Sequence, residues 1–278
     1  AVAFEIPPHF GKDLKSGHPP TISAWIDGSA PFRGETIDGY VKGNHLNYLE
    51  DLARRTIGEV PAYLPATIEP RYRYNPSFES INALVPSIPA VLLILIPSIL
   101  MALSVVREKE LGSITNFYVT PSKKIEFIIG KQLPYIAIGM LNFTLLTLLT
   151  IFIFKVPIKG DVFALTLGAL LYIIGTTGLG LLISTFTSSQ VAAVFGTAIL
   201  AILPTVQFSG MLQPVSTLEG AAKHIGTIWP TTYYMHTSVG AFTKGLSFRD
   251  LGGDLFKLAL FIPIFTFFTT IALKKQER

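Results

Sequence analysis

The ionisable side chains of this chain gather where two apolar runs leave a gap. Residues 107–132 read REKELGSITNFYVTPSKKIEFIIGKQ and carry Arg107, Glu108, Lys109, Glu110, Lys123, Lys124, Glu126 and Lys131. Residues 81–106 before them and 133–154 after them hold no charge. The nearest approach to a phosphate loop is Gly130-Lys131. Such a loop needs G-x-x-x-x-G-K-[ST], so that backbone amides cradle phosphate and a hydroxyl meets magnesium. Here Ile125 stands at the first glycine position and Gln132 at the hydroxyl position. The pattern HExxH does not occur, nor does GxSxG, and the Ser and His residues lack the spacing of a nucleophile elbow or triad. His9, His18 and His45 show no convergent metal spacing. With no Cys there is neither a thiolate metal site nor a disulfide framework. The residues therefore describe no enzyme active site and no metal centre.

What positions the charged stretch is an apolar scaffold. The chain is 50% hydrophobic and 14% charged, with mean hydropathy +0.51. Soluble domains average about 25% charged residues, so composition predicts a membrane protein. The net charge of +4 lies at membrane flanks, where orientation explains it, and no basic aromatic patch suggests nucleic acid. A bilayer core takes about 20 apolar residues in a helix. Five segments qualify: residues 80–106, 133–154, 162–186, 191–208 and 255–273. Pro86, Pro89 and Pro97 must kink the first, and neighbours must re-satisfy the freed carbonyls. Gly168, Gly175, Gly178 and Gly180 offer a close-packing face on the third. Residues 80–106, 133–154 and 162–218 contain no Asp, Glu, Lys, Arg or His, which argues against an ion-coupled carrier or a voltage sensor. Asn142, Thr144, Thr147, Thr176, Thr177 and Gln207 read as interhelical hydrogen-bonding groups or as the lining of a path. Residues 209–234, rich in Gly, Pro and aromatics, read as re-entrant or interfacial, with Trp229, Tyr233 and Tyr234 at headgroup level. Residues 235–254 read as a soluble connector.

Residues 1–78 read as a small α/β domain with little core of its own. Strands are predicted at 21–26 and 66–74, and a helix at 40–55. The positive-inside rule places 107–132 in the cytoplasm. Residues 155–161 and 209–254 then lie outside, 187–190 and the basic C-terminus inside, and the N-terminal domain outside. The chain opens with Ala1 and no leader pattern. It reads as part of a longer polypeptide with a further span upstream, making six.

Within 107–132, Thr120 and Pro121 look like an N-cap and first helical residue. They would start a helix over 122–131 with Ile125, Ile128 and Ile129 on one face and lysines elsewhere. Physically this is either an interfacial helix with snorkelling lysines or an element that transmits force from a cytoplasmic motor. The order V-x-R-E-K-E-x-G-[ST]-I, then V-T-P, then E-F-x-x-G-K resembles the membrane subunits of ABC-2 type exporters. Phe208-Ser209-Gly210 with Pro214, and Trp229-Pro230 with Tyr233, are similar to that family's outer re-entrant region. The likeness covers residues 75–278. The soluble start is similar to the family's external domain, and the whole is most similar to the C-terminal membrane half of bacterial ribosome-associated ATPases.

The resemblance implies an α-helical polytopic membrane protein that dimerises in the bacterial inner membrane and moves a substrate outward. It implies coupling and gating at Arg107, Glu108, Glu110, Gly112, Thr120, Pro121, Glu126, Gly130 and Lys131. It implies no catalysis in this chain, since ATP and magnesium belong to partner ATP-binding domains on the same chain or a separate subunit. Beyond the lipid bilayer and a second copy, it leaves room for a ribosome reached through upstream domains and for a periplasmic adaptor. Two other readings stand beside the exporter: a membrane anchor for a ribosome-associated ATPase that moves no solute, and a receptor sensing a ligand through the outer domain.

Overall fold

A computed structural model describes residues 2–16, 21–27, 31–56, 67–75, 79–112 and 123–273. The chain divides into two compact units, Ala1–Ala83 and Leu84–Arg278.

The first unit is built on a three-stranded sheet of order β1-β2-β3. Strand β1 (Val2–Glu5) precedes helix α1 (Phe10–Lys15), and neither stood out in the sequence. β2 (Thr21–Asp27) pairs antiparallel with β1, placing Val2 opposite Ile26. β3 (Thr67–Arg73) pairs parallel with β2, placing Thr21 opposite Thr67. A parallel pair needs a crossover, supplied by α2 (Pro31–Thr56). That helix begins nine residues before the predicted 40–55, because Pro31 pre-sets the helical φ at its first position although the apolar spacing is weak there. Ala24 and Ile26 on β2 are fully buried, and Val41 and Leu49 of α2 are buried with them. The other face of β2 shows Trp25, whose Nε1 donates to Glu5 Oε2 at 2.8 Å and whose ring lies under Arg71. Pro70 is accommodated because β3 is an edge strand.

The second unit is a bundle. Among the described residues five helices are long and apolar enough to cross a membrane. The first, Ser80–Glu110, is broken by its prolines into α3 (Ser80–Leu84), a 3-10 turn (Val85–Ser87) and α4 (Ile88–Glu110). Then come α5 (Lys124–Leu148), extended by a π turn to Ile153, α6 (Val162–Phe186) and α7 (Gln190–Phe208). Two shorter helices follow, α8 (Gly220–Ile228) and α9 (Pro230–Val239), and the last is α10 (Phe248–Ala272).

Helix α6 is the axis of the bundle. In its most apolar window 61% is buried, against 17% for α5 and for α10, so those two present most of their surface to whatever surrounds the unit. Glycine lets α4 approach α6: a Cβ on Gly180 would stand 2.2 Å from the Ser98 carbonyl oxygen. Small residues of this kind drive association where water supplies no hydrophobic force. Pro97 cannot donate to the Leu93 carbonyl. Thr176 Oγ1 of α6 takes the place of that donor at 3.2 Å, and Ser98 Oγ returns a bond to the Thr176 carbonyl at 3.0 Å. Of the other polar groups predicted to bridge helices, Thr144 and Thr177 bond carbonyls of their own helices, Asn142 Nδ2 has no partner, and Gln207 is exposed.

Two expectations are corrected. The last membrane helix starts at Phe248 rather than 255, because Ser247 and the Asp250 carboxylate close a capping box there (Ser247 Oγ to Asp250 Oδ2, 2.7 Å). Residues 235–244 are not a soluble connector. Met235, Thr237, Ser238, Ala241 and Phe242 are buried, continuing α9 into a π turn (Gly240–Lys244). Their polar members find partners that sequence does not reveal: Ser238 Oγ donates to the Pro86 carbonyl at 2.5 Å.

Candidate functional site

The charged end of α4 braces the bundle. An alternating helix bundle brings the C-terminus of α4, the N-terminus of α5, the C-terminus of α6, the N-terminus of α7 and the C-terminus of α10 to one end. Those ends carry orphan carbonyls and amides with partial charge. Glu108 of α4 makes an ion pair with Lys131 of α5, both side chains about two-thirds covered. Lys109 donates to the carbonyls of Ser184 (2.7 Å) and Thr187 (3.3 Å), where α6 ends. Glu110 accepts from the Gln190 backbone amide at 2.7 Å and from its side-chain amide, where α7 begins. Lys124 Nζ donates to the Thr270 carbonyl in the last turn of α10 at 3.1 Å. The ammonium groups of Lys109 and Lys124 meet carbonyl ends and Glu110 meets an amide end, as the helix dipoles prefer. Three consecutive residues, Glu108 to Glu110, thus hold the ends of three different helices.

Most of the other predicted coupling residues are placed around this brace. Arg107 is exposed at its edge. Gly112 closes α4 with φ +70°, its amide donating to the Lys109 carbonyl at 3.1 Å, so it caps the helix in a left-handed turn suited to glycine. Glu126 Oε2 accepts the Lys123 amide at 2.9 Å and starts α5. Gly130 is exposed. Thr120 and Pro121 lie outside the described residues. The helix start therefore falls at Lys124 with Lys123 as its N-cap, not at 122, since the Glu126 carboxylate ties the chain there. Its apolar face is also divided: Ile128 is buried against Met101, Val105 and Leu181, while Ile125 and Ile129 are exposed. Among the described residues here the acid–base contact is the Glu108–Lys131 ion pair, and no Ser or His side chain joins it. Among the described residues no three His, Asp or Glu side chains could hold a metal. What the bonds do is join one helix end to three others directly and, through α5, to a fourth.

The predicted re-entrant residues meet at the opposite end. Trp229 Nε1 donates to Thr205 Oγ1 at 3.0 Å, and Ser209 Oγ donates to the Thr205 carbonyl, so Trp229, Ser209 and Phe208 are drawn to the end of α7. Gly210 turns the chain with φ +96°. Pro214 precedes a 3-10 turn (Val215–Thr217), and Pro230 begins α9. Tyr233 OH donates to the Thr227 carbonyl. The region is thus a pair of helices folded onto the bundle. A network missed in the sequence anchors it. Tyr172 OH lies 2.9 Å from the Ala90 carbonyl and 2.8 Å from Thr231 Oγ1, which lies 3.1 Å from Thr205 Oγ1, and the Tyr172 ring stacks on Tyr234 at 4.5 Å. Lone hydroxyls inside apolar runs were its one sequence signal. The loop between α5 and α6 joins this end, with the Lys159 and Gly160 amides donating to the Ala241 carbonyl.

No solved structure matches the chain. The chain is 28% identical over 241 residues to a probable multidrug ABC transporter permease, YbhS, of Escherichia coli K12, covering 86% of this chain and 63% of the relative. A second probable multidrug permease of that organism, YbhR, is 23% identical over 252 residues, covering 91% of this chain and 67% of the relative. The inner membrane transport permease YhhJ, also of E. coli K12, is 25% identical over 288 aligned positions, covering 93% and 71%. The chain therefore spans roughly two-thirds of the length of these relatives. The model of the ABC-2 family transporter proteins matches residues 1–271, taking in both the sheet-bearing unit and the five-helix bundle, and the chain belongs to that family.

Proposed function

We propose that this chain is the permease domain of an ATP-driven exporter in a bacterial inner membrane, and that the brace around Glu108, Lys109 and Glu110 is where a cytoplasmic ATP-binding domain delivers its stroke. The observation that carries the reading is the set of bonds by which those three residues and Lys124 tie α4 to α5, α6 and α7, and α5 to α10. A push on the exposed start of α5 would reach every long helix through them, a rigid-body change of the kind nucleotide can bias. The names of the relatives, two of them ABC transporter permeases and one an inner membrane transport permease, support the same role. In this reading ATP and magnesium sit on the partner domain, two copies of the bundle form the path, and residues 1–78 face outward. An apolar or amphipathic substrate suits spans whose surface is mostly apolar and hydroxyl.

The test uses the full-length protein with its ATP-binding partner in proteoliposomes, with ethidium as the probe. Glu108→Lys and Lys131→Glu each replace attraction by repulsion at contact distance, and the double exchange restores a pair of opposite sign. Each single reversal should lower export per ATP hydrolysed by roughly tenfold, the scale of one charge-assisted bond lost to a like-charge contact. The exchange should recover most of it, and membrane insertion should not change. Unaltered coupling in both single variants would refute the assignment. If no lipid or dye raised hydrolysis in the wild type and nothing were exported, the anchor for a ribosome-associated ATPase would be the better reading.

A further inference from the structure

An apolar groove of about 530 Å³ opens between the α8–α9 corner and the middle of α10. Its walls are Ile228, Trp229, Leu260, Phe261, Ile264 and Phe265. Ile228, Leu260 and Ile264 are each more than 40% exposed, so the groove faces the surroundings of the bundle rather than its core. One cation stands in this wall. Lys257 Nζ lies 4.8 Å from the centroid of the Tyr233 ring, a cation–π contact that fixes the ammonium over the groove. The Tyr233 hydroxyl points elsewhere, to the Thr227 carbonyl.

Depth makes this lysine informative. At 1.5 Å per residue, Lys257 lies about 15 Å along the helix from the cap at Ser247 and about 20 Å from Thr270 at the braced end. It therefore sits inside the helix that crosses the membrane, on a face with exposed Phe256, Leu260 and Ile264. An ionised group at such a place is costly unless an anion or water meets it. The acid one turn before it on the helix, Asp254, is engaged by His236 Nδ1 at 2.5 Å. No ion pair to Lys257 occurs among the described residues.

We propose that this groove binds an anionic phospholipid of the surrounding leaflet, its phosphate on Lys257 and one acyl chain along Leu260, Ile264 and Phe265. Charge selects the occupant: an apolar slot with one fixed cation at its mouth matches an amphiphile with one anionic head. Bound there, the lipid spans the α8–α9 corner and α10 and holds them together. The inference needs α10 to cross a bilayer and nothing more. It survives if export fails, and export survives if it fails.

The experiment is native mass spectrometry of the full-length protein with its ATP-binding partner, in mild detergent. Equal amounts of palmitoyl-oleoyl phosphatidylglycerol and phosphatidylcholine are added, two lipids with the same chains and different heads. Wild type should retain the glycerol lipid about fivefold over the choline lipid, the scale of one cation facing an anionic lipid. Lys257→Gln, or Lys257→Met where the first folds poorly, should abolish the preference, and Lys257→Arg should keep it. Ile264→Trp fills the slot and should lower retention of both lipids. Equal retention by wild type, or an unchanged preference in the neutral variants, would mean that the lysine merely snorkels and would overturn the proposal. So would an Ile264→Trp variant that lost its dimer while holding lipid as before, since a second copy would then occupy the groove.

Discussion

Thr176→Val is a nearly isosteric change at a fully buried site, and its cost should depend on a proline one helix away. Pro97 deprives the Leu93 carbonyl of its helical donor, and Thr176 Oγ1 reaches that oxygen from α6 at 3.2 Å while sharing its proton with the Ile173 carbonyl at 3.1 Å. Valine keeps the volume and removes the donor. A buried carbonyl left unpaired costs ~1–3 kcal/mol. Shared geometry at these lengths and the ~0.6 kcal/mol average for hydrogen bonds inside membrane proteins put the expected loss near 1 kcal/mol. In a Pro97→Ala background the residue-97 amide can serve Leu93 again, so the same change should then cost a few tenths of a kcal/mol. Reversible unfolding of the purified protein in mixed micelles, read as a double-mutant cycle, gives the coupling directly. Equal costs of Thr176→Val in the two backgrounds would show that the threonine does not compensate the proline, and the account of the kink would fail.

Gly180→Ala should destabilise by ~1–3 kcal/mol through overpacking, because its Cβ would meet backbone of α4. Gly196→Ala on α7, where nothing lies within 4 Å, should be neutral or slightly stabilising. Equal melting temperatures for the two variants would count against close packing at Ser98. Orientation can be read from single cysteines, since the chain has none of its own. In spheroplasts an impermeant maleimide should label Lys159→Cys and spare Lys123→Cys until the membrane is opened. The reverse pattern would put the brace outside and remove the exporter reading.

Sequence alone determined the class of this protein, because crossing a bilayer is a matter of composition and length. Three of the five long helices were bounded within a few residues by apolar runs between charged or polar breaks, while the second begins at Lys124, nine residues before the predicted 133, because the short helix read over 122–131 runs on into the span. The fifth was shortened in the reading because Arg249, Asp250, Asp254 and Lys257 interrupt its pattern, although a capping box and a helix end need no apolar residue. The strands Thr21–Asp27 and Thr67–Arg73 were legible as alternating or β-branched runs, while the register and the parallel pairing were not. The importance of residues 107–132 was visible as charge between spans. Which helix each charge serves was not, since Lys109 and Ser184, or Lys124 and Thr270, are far apart in sequence and meet only when the bundle closes. The Tyr172–Thr231–Thr205 network and the burial of 235–244 were likewise invisible for the same physical reason. A hydroxyl or a short polar helix has no signature of its own partner, and tertiary packing alone decides whether it faces lipid, water or another helix.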